Sequence, residues 1–319
     1  MRLRAIAIAL VVLTTLPVAR AAEPPPAPVQ QKDIEDLTVL GVRDKLIRDF
    51  VRSYAAPTRT LIGQLARWRA GICPVTAGLS KEFNTFVTAR IKDVAREVGA
   101  PVEPKEKCKV NLQVIFSPNP QAQMDAVRIK AAWMLGSHYK AEEKELATVT
   151  HTIQSWYATA TNDYNGQTTL DDIGDISGKC EYELPPAFCG PNAAGPCKIT
   201  ASVCAAVRPG RTGSGFRSEF ALVTIVVDMK KVADIEIGPV ADYIAMAGLA
   251  QTKATDTCRG LLSISNLLTK DCPADRKANA LTQTDIAYLR ALYQMNAESA
   301  AGLQQIDLAN WMRINLDGK

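Results

Sequence analysis

Eight cysteines constrain this chain more than any other feature. They are Cys73, Cys108, Cys180, Cys189, Cys197, Cys204, Cys258 and Cys272, an even set in 319 residues. Whether they crosslink depends on the compartment, and the N-terminus predicts one. Residues 1–22 read MRLRAIAIALVVLTTLPVARAA. Arg2 and Arg4 form a positive n-region, and Ala5 to Leu16 is an apolar run too short to span a bilayer. Ala19-Arg20-Ala21 is an A-x-A site for cleavage after Ala21 or Ala22. This pattern predicts a secretory signal peptide and export, to the periplasm first and to the exterior as the alternative. No cysteine follows the apolar run, which argues against a lipid anchor there. In an oxidising space the expectation is four disulfides. Connectivity among eight cysteines is not deducible, but local order suggests Cys73–Cys108, Cys258–Cys272 and two bridges among Cys180, Cys189, Cys197 and Cys204. The rival for that cluster is zinc, yet spacings of nine, eight and seven residues lack the close cysteine pairs of zinc sites.

Composition narrows the partners. Hydrophobic content of 47% and charged content of 22% are ordinary for a globular chain. Removing Arg2, Arg4 and Arg20 with the signal takes the formal charge from +4 to +1. With no block of like charge and 6% aromatic residues, nothing points to nucleic acid. The longest apolar run after the signal, FALVTIVVDM at 220–229, is strand-sized, so no membrane span is expected.

Punctuation and periodicity order the rest. Residues 23–33 begin with EPPPAPVQQ, a Pro-rich tether. Residues 34–70 are expected to be N-terminal helices, one over 34–54 and a shorter one over about 58–70, with Trp68 in the core. Residues 71–319 are expected to form one domain. Ser80 opens a helix whose shared face carries Phe83, Phe86, Val87, Ile91, Val94 and Ala95, and Gly99 with Pro101 ends it. Val110, Leu112, Val114 and Phe116 alternate as a strand. Residues 122–147 carry a helical period, and 149–157 alternate as a strand. The stretch 161–218 is rich in Gly, Pro, Asn, Asp and Cys and holds half the cysteines. It is expected to be a disulfide-stapled insertion of loops and short strands. FALVTIVVDMKKV at 220–232 is the strongest strand, β-branched enough to be buried on both faces. Together these imply an α+β fold with a mixed sheet packed with helices.

The segment VADYIAMAGLAQ (240–251) follows that strand, with Pro239 placed for a first helical turn. It resembles the zinc helix of the metzincin proteases, H-E-x-x-H-x-x-G-x-x-H, with its donors gone. The ligand positions fall on Ala241, Ala245 and Gln251, the general-base position on Asp242 and the glycine on Gly248, where the family's chain turns sharply. Downstream, SISN at 263–266 is similar to the methionine turn, with Ser265 in place of Met. LTQTDIAYLRALY at 281–293 resembles the family's final helix, and Thr282 with Asp285 reads as a capping box. The resemblance covers about 220–293 and puts the preceding strand at a sheet edge. It implies a protein with no catalytic zinc. An alanine methyl has no lone pair, and an amide oxygen is a poor zinc ligand. The same residues also suit plain close packing, because Ala241, Ile244, Ala245, Gly248 and Leu249 form a small-residue stripe.

Other chemistry is thin. His138 and His151, the only two histidines, are thirteen apart with no ligand spacing nearby. No G-x-S-x-G elbow is present. Asp171, Asp172 and Asp175 lack the EF-hand spacing, and a solvated turn is the expectation for them. The reading is a non-enzymatic exported protein, a pseudo-metalloprotease that binds a peptide or protein or serves the envelope structurally. Asp242, Tyr243 and Gln251 are expected to line its cleft, with no metal or cofactor implied. The alternative is a hydrolase with relocated groups, using His138 or His151.

Overall fold

A computed structural model describes residues 31–60, 62–138, 140–162, 168–171, 180–184, 197–201, 215–253 and 257–318. The expected signal peptide, most of the expected tether, and the side chains of the 180–204 cysteine cluster lie outside these residues. The chain divides into two compact units, Met1–Gly41 and Val42–Lys319. The described part of the first is the opening of helix α1 (Gln31–Tyr54). All that follows concerns the second unit.

The second unit is α+β. Its mixed five-stranded sheet has the order β1-β2-β7-β3-β4, from β1 (Pro74–Ala77), β2 (Leu112–Ser117), β3 (Ile153–Asn162), β4 (Thr168–Leu170) and β7 (Arg217–Asp228). β1, β2 and β7 run parallel, with Pro74 opposite Leu112 and Leu112 opposite Val223. β3 is antiparallel to β7, with a bulge at Ala158/Thr159, and β4 is antiparallel to β3. β7 is therefore central and not the sheet edge that the family resemblance implies. Its apolar run fits that place, with Val223, Ile225, Val226 and Val227 all buried. A separate antiparallel ribbon pairs β5 (Cys180–Leu184) with β6 (Cys197–Ala201), so the insertion does contain short strands.

Helices α2 (Lys81–Glu97) and α5 (Ile237–Leu249) pack together against the sheet. Ser80 caps α2 by accepting from the Phe83 N–H, and Gly99 leaves it with a φ of +79°. Val87, Ile91, Val94 and Ala95 face the core as expected. Phe83 and Phe86 do not: they are 50% and 45% exposed. At 100° per residue they flank the buried stripe, and one helix packed on a sheet covers only its central line.

Two expected helices change form. Residues 58–70 are extended and irregular among the described residues, because the chain there serves tertiary partners. Gln64 donates to the carbonyls of Phe216, Ala297 and Ser299, and the Arg67 carbonyl accepts from Phe220 N–H. Trp68 is in the core as expected, edge-on to Phe220 at 5.3 Å. The 122–147 period breaks into α3 (Pro120–Lys130), a 3-10 turn Ala132–Leu135, another at Lys140–Glu142, and α4 (Glu143–Leu146). Two C-terminal helices, α6 (Gln283–Gln294) and α7 (Ala301–Leu316), complete the unit.

Two of the expected bridges fall on described side chains, and both form. Cys73–Cys108 ties the start of β1 to the loop before β2, and Cys258–Cys272 closes the loop after α5. No described helix is long and apolar enough to cross a membrane.

Candidate functional site

The stretches 240–251, 263–266 and 281–293 are separate in sequence but meet in space, and polar groups join them. Asp242 is only 4% exposed. Its Oδ1 accepts from Arg90 Nε of α2 at 2.5 Å, and its Oδ2 accepts from the Leu281 N–H just before α6 at 2.9 Å. The expectation that Asp242 lines an open cleft is therefore corrected. A carboxylate buried against α2 needs a counter-charge, and Arg90 supplies it.

The C-terminal turn of α5 leaves carbonyls without helical partners. Aromatic donors from three other segments take them. Trp68 Nε1 donates to the Gly248 carbonyl at 2.8 Å and Tyr293 Oη to that of Leu249 at 2.9 Å. Tyr157 Oη reaches the carbonyls of Ala247 and Ala250 at 2.9 and 3.3 Å. Burial pushes the Tyr157 phenol up to about 12 and raises that of Tyr293 as well, so both stay protonated donors.

Gly248 does not make the sharp turn that the family comparison implies. It is not among the positive-φ glycines. A Cβ there would stand 2.9 Å from Leu112 Cδ1 and 3.6 Å from Ile225 Cδ1, so its bareness lets α5 lie close on β2 and β7. Ala241 and Ala245 are wholly buried core methyls. Gln251 is half-buried, with an Oε1 that has no hydrogen-bond partner among the described residues. Two methyls, a neutralised carboxylate and one amide do not make a zinc site. Among the described residues there is no group of three or more His, Cys, Asp or Glu able to hold a metal.

The turn at 263–266 is held just as firmly. Asp285, fully buried in the first turn of α6, accepts from Ser263 Oγ, the Ile264 N–H and both the N–H and hydroxyl of Thr282. The predicted capping box is thus present and has an added role: it pins the turn. Burial raises the Asp285 carboxyl above its usual range, opposed by those donors. Ser263 and Ser265 hydroxyls lie 2.6 Å apart. Asn266 donates to the carbonyls of Arg259, Leu261 and Arg276.

Beside this framework lies a cavity of about 320 Å³. α4 and the start of β3 form one wall, and α5 with the loop after it forms the other. Tyr54, Ile153, Trp156, Tyr157, Tyr243 and Met246 give it an apolar body. Arg259, Lys253, Ser265 and His151 supply its polar groups. Of Asp242, Tyr243 and Gln251, Tyr243 stands on the wall of this cavity and the other two do not.

Arg259 was not indicated by the sequence. It is one of two basic residues, with Lys270, in a cysteine-bounded loop, and it belongs to no periodicity or motif. In the fold it is 5% exposed, with its guanidinium 4.8 Å from the centroid of the Tyr54 ring. Its Nη2 donates to the Lys253 carbonyl at 3.2 Å and its Nη1 to the Ser265 carbonyl at 3.4 Å, while Nε is buried without a partner among the described residues. Burial raises the phenols of Tyr54 and Tyr243, and the Arg259 charge opposes this at both.

His151 lies on the cavity wall, its Nδ1 2.8 Å from Thr150 Oγ1. His138 lies before the 3-10 turn at 140–142, its backbone N–H on Glu142, and is not on that wall. Asp171 is not the solvated group expected. It is buried and accepts from Thr159 and Thr161 hydroxyls at 2.7 and 2.8 Å, bracing β3. Asp172 and Asp175 lie outside the described residues, as do the side chains of Cys180, Cys189, Cys197 and Cys204.

No family of known proteins, no curated protein and no solved structure matches the chain.

Proposed function

We propose that this chain is an exported, non-enzymatic binding protein built on a degenerate metzincin-like domain, a pseudo-metalloprotease of the periplasm or cell envelope. The cavity beside α5 holds a segment of a peptide or protein. The observation that carries this reading is the chemistry of α5. Its ligand positions are core methyls at Ala241 and Ala245, and its general-base position is an Asp242 already spent on Arg90 and Leu281. The meeting of residues 240–251, 263–266 and 281–293 around that helix supports the family likeness. The two disulfides are compatible with export.

Elemental analysis of the mature, disulfide-bonded chain tests the reading. The expected zinc content is far below one per chain. Zinc near one per chain, lost on Asp242→Ala and Gln251→Ala substitution, would overturn it.

One observation favours the rival hydrolase: His151 stands on the cavity wall beside Thr150 and Ser155. Peptide or ester hydrolysis that disappears in His151→Ala would establish that rival instead.

A further inference from the structure

We infer that Arg259 is the receptor for a ligand carboxylate, so that the cavity takes a molecule with an apolar body and a terminal carboxylate, of which the C-terminal residue of a peptide is the fitting case. This rests on the binding reading above and names the chemistry of that same site.

A buried guanidinium is costly unless an anion or a full set of acceptors compensates it. Arg259 has neither among the described residues. Its two carbonyl contacts are long, at 3.2 and 3.4 Å, and carry no negative charge. Its Nε is buried and unpartnered, and no described carboxylate forms an ion pair with it. The Tyr54 ring at 4.8 Å offsets part of the cost through its π face but leaves the N–H donors unanswered.

An arginine of this kind on a cavity wall is prepared for a planar anion, because its forked donors match a carboxylate pairwise. Lys253 adds a second cation to the same wall, and among the described lining residues Glu145 is the one acid. Tyr54, Trp156, Tyr157, Tyr243 and Met246 line the rest, which calls for an apolar body behind the charged group. The volume of about 320 Å³ lies at the small end of ligand pockets, so it suits one terminal residue and not a long extended segment.

N-acetyl-phenylalanine and its amide are the probes, titrated calorimetrically into the wild-type chain and Arg259→Met. The inference expects the acid to bind wild type about tenfold or more tighter than the amide, the difference that one charge-assisted pair makes. It expects Arg259→Met to erase that preference. It also expects the ligand-free Arg259→Met chain to melt at or above the wild-type temperature, because an unpaired buried charge is gone. A purely structural arginine would lower it. The acid–amide comparison needs no variant, so it stands even if Arg259→Met fails to fold. Equal binding of acid and amide would overturn the carboxylate receptor while leaving the binding reading intact. So would inorganic phosphate binding as tightly as the acid. No binding of either probe up to about 10 mM would overturn the inference too. Conversion of the amide to the acid during the titration would overturn the non-enzymatic reading itself.

Discussion

If Asp242 is a structural anchor, its partner Arg90 should be expensive to remove, although it stands at a helix surface. The Arg90 side chain is 35% exposed and the Asp242 side chain 6%, joined at 2.5 Å. Arg90→Met leaves a buried carboxylate with one donor, the Leu281 N–H. Breaking a fully buried pair costs about 3–5 kcal/mol, and partial access of water on the arginine side reduces that to about 2–3 kcal/mol. For a unit of this size roughly 2 °C of melting temperature is lost per kcal/mol, so a fall of about 4–6 °C is expected. The comparison is Arg96→Met on the same helix. It breaks the exposed Arg96–Asp93 pair, whose side chains are 60% and 62% accessible. That change should stay within about 0.5 kcal/mol. Urea unfolding of both variants, with Asp242→Asn and the Arg90→Met/Asp242→Asn double variant, closes the cycle. Asparagine keeps an acceptor for Leu281 N–H and carries no charge, so the double variant should recover much of the loss. If Arg90→Met and Arg96→Met cost the same, Asp242 is not a buried, neutralised charge.

Three further outcomes follow from the same structure. Replacing Cys73 and Cys108 by Ala should cost about 4 kcal/mol and replacing Cys258 and Cys272 about 3 kcal/mol, from loop separations of 35 and 14 residues; urea unfolding measures both, and unchanged stability on removing either pair would contradict the estimate. Trp68→Phe keeps the ring packing but strips the Gly248 carbonyl of its donor, so a loss of about 1–3 kcal/mol is expected by thermal melting, whereas an unchanged melting temperature would show that carbonyl to be otherwise satisfied. Asp285 is held above its unfolded value, so the folded chain binds more protons there than the unfolded chain; its contribution is greatest below the ordinary carboxylate range and declines as pH rises through its raised value. The stability advantage of wild type over Asp285→Asn should therefore shrink between acid and neutral pH, and an advantage that grows over that range would contradict the raised value.

The elements with local causes were legible in the sequence. The Ser80 cap, the Gly99 stop, the Thr282–Asp285 capping box and the β-branched run ending at Asp228 follow from side chains a few residues apart, and such causes do not wait for the fold. The bridges Cys73–Cys108 and Cys258–Cys272 were suggested by the order of the cysteines along the chain. Where periodicity was the sole guide, the reading weakened. It placed Phe83 and Phe86 inside, made a helix of 58–70, and ran 122–147 as one element, because period alone does not say how wide a face the partner covers or whether the backbone has better partners elsewhere.

The candidate site is the part that sequence could not supply. The family resemblance drew attention to α5, and side-chain chemistry alone limits what that helix can ligate: no arrangement of neighbours gives an alanine methyl a lone pair. Only the tertiary structure decided that Asp242 answers to Arg90, 152 residues earlier, that Gly248 serves close packing on Leu112, and that Arg259 is buried beside Tyr54. The physical reason is the same in each case. What a side chain can donate or accept is fixed by its own chemistry, but whether that capacity is spent or left free depends on partners that only the folded chain brings within reach.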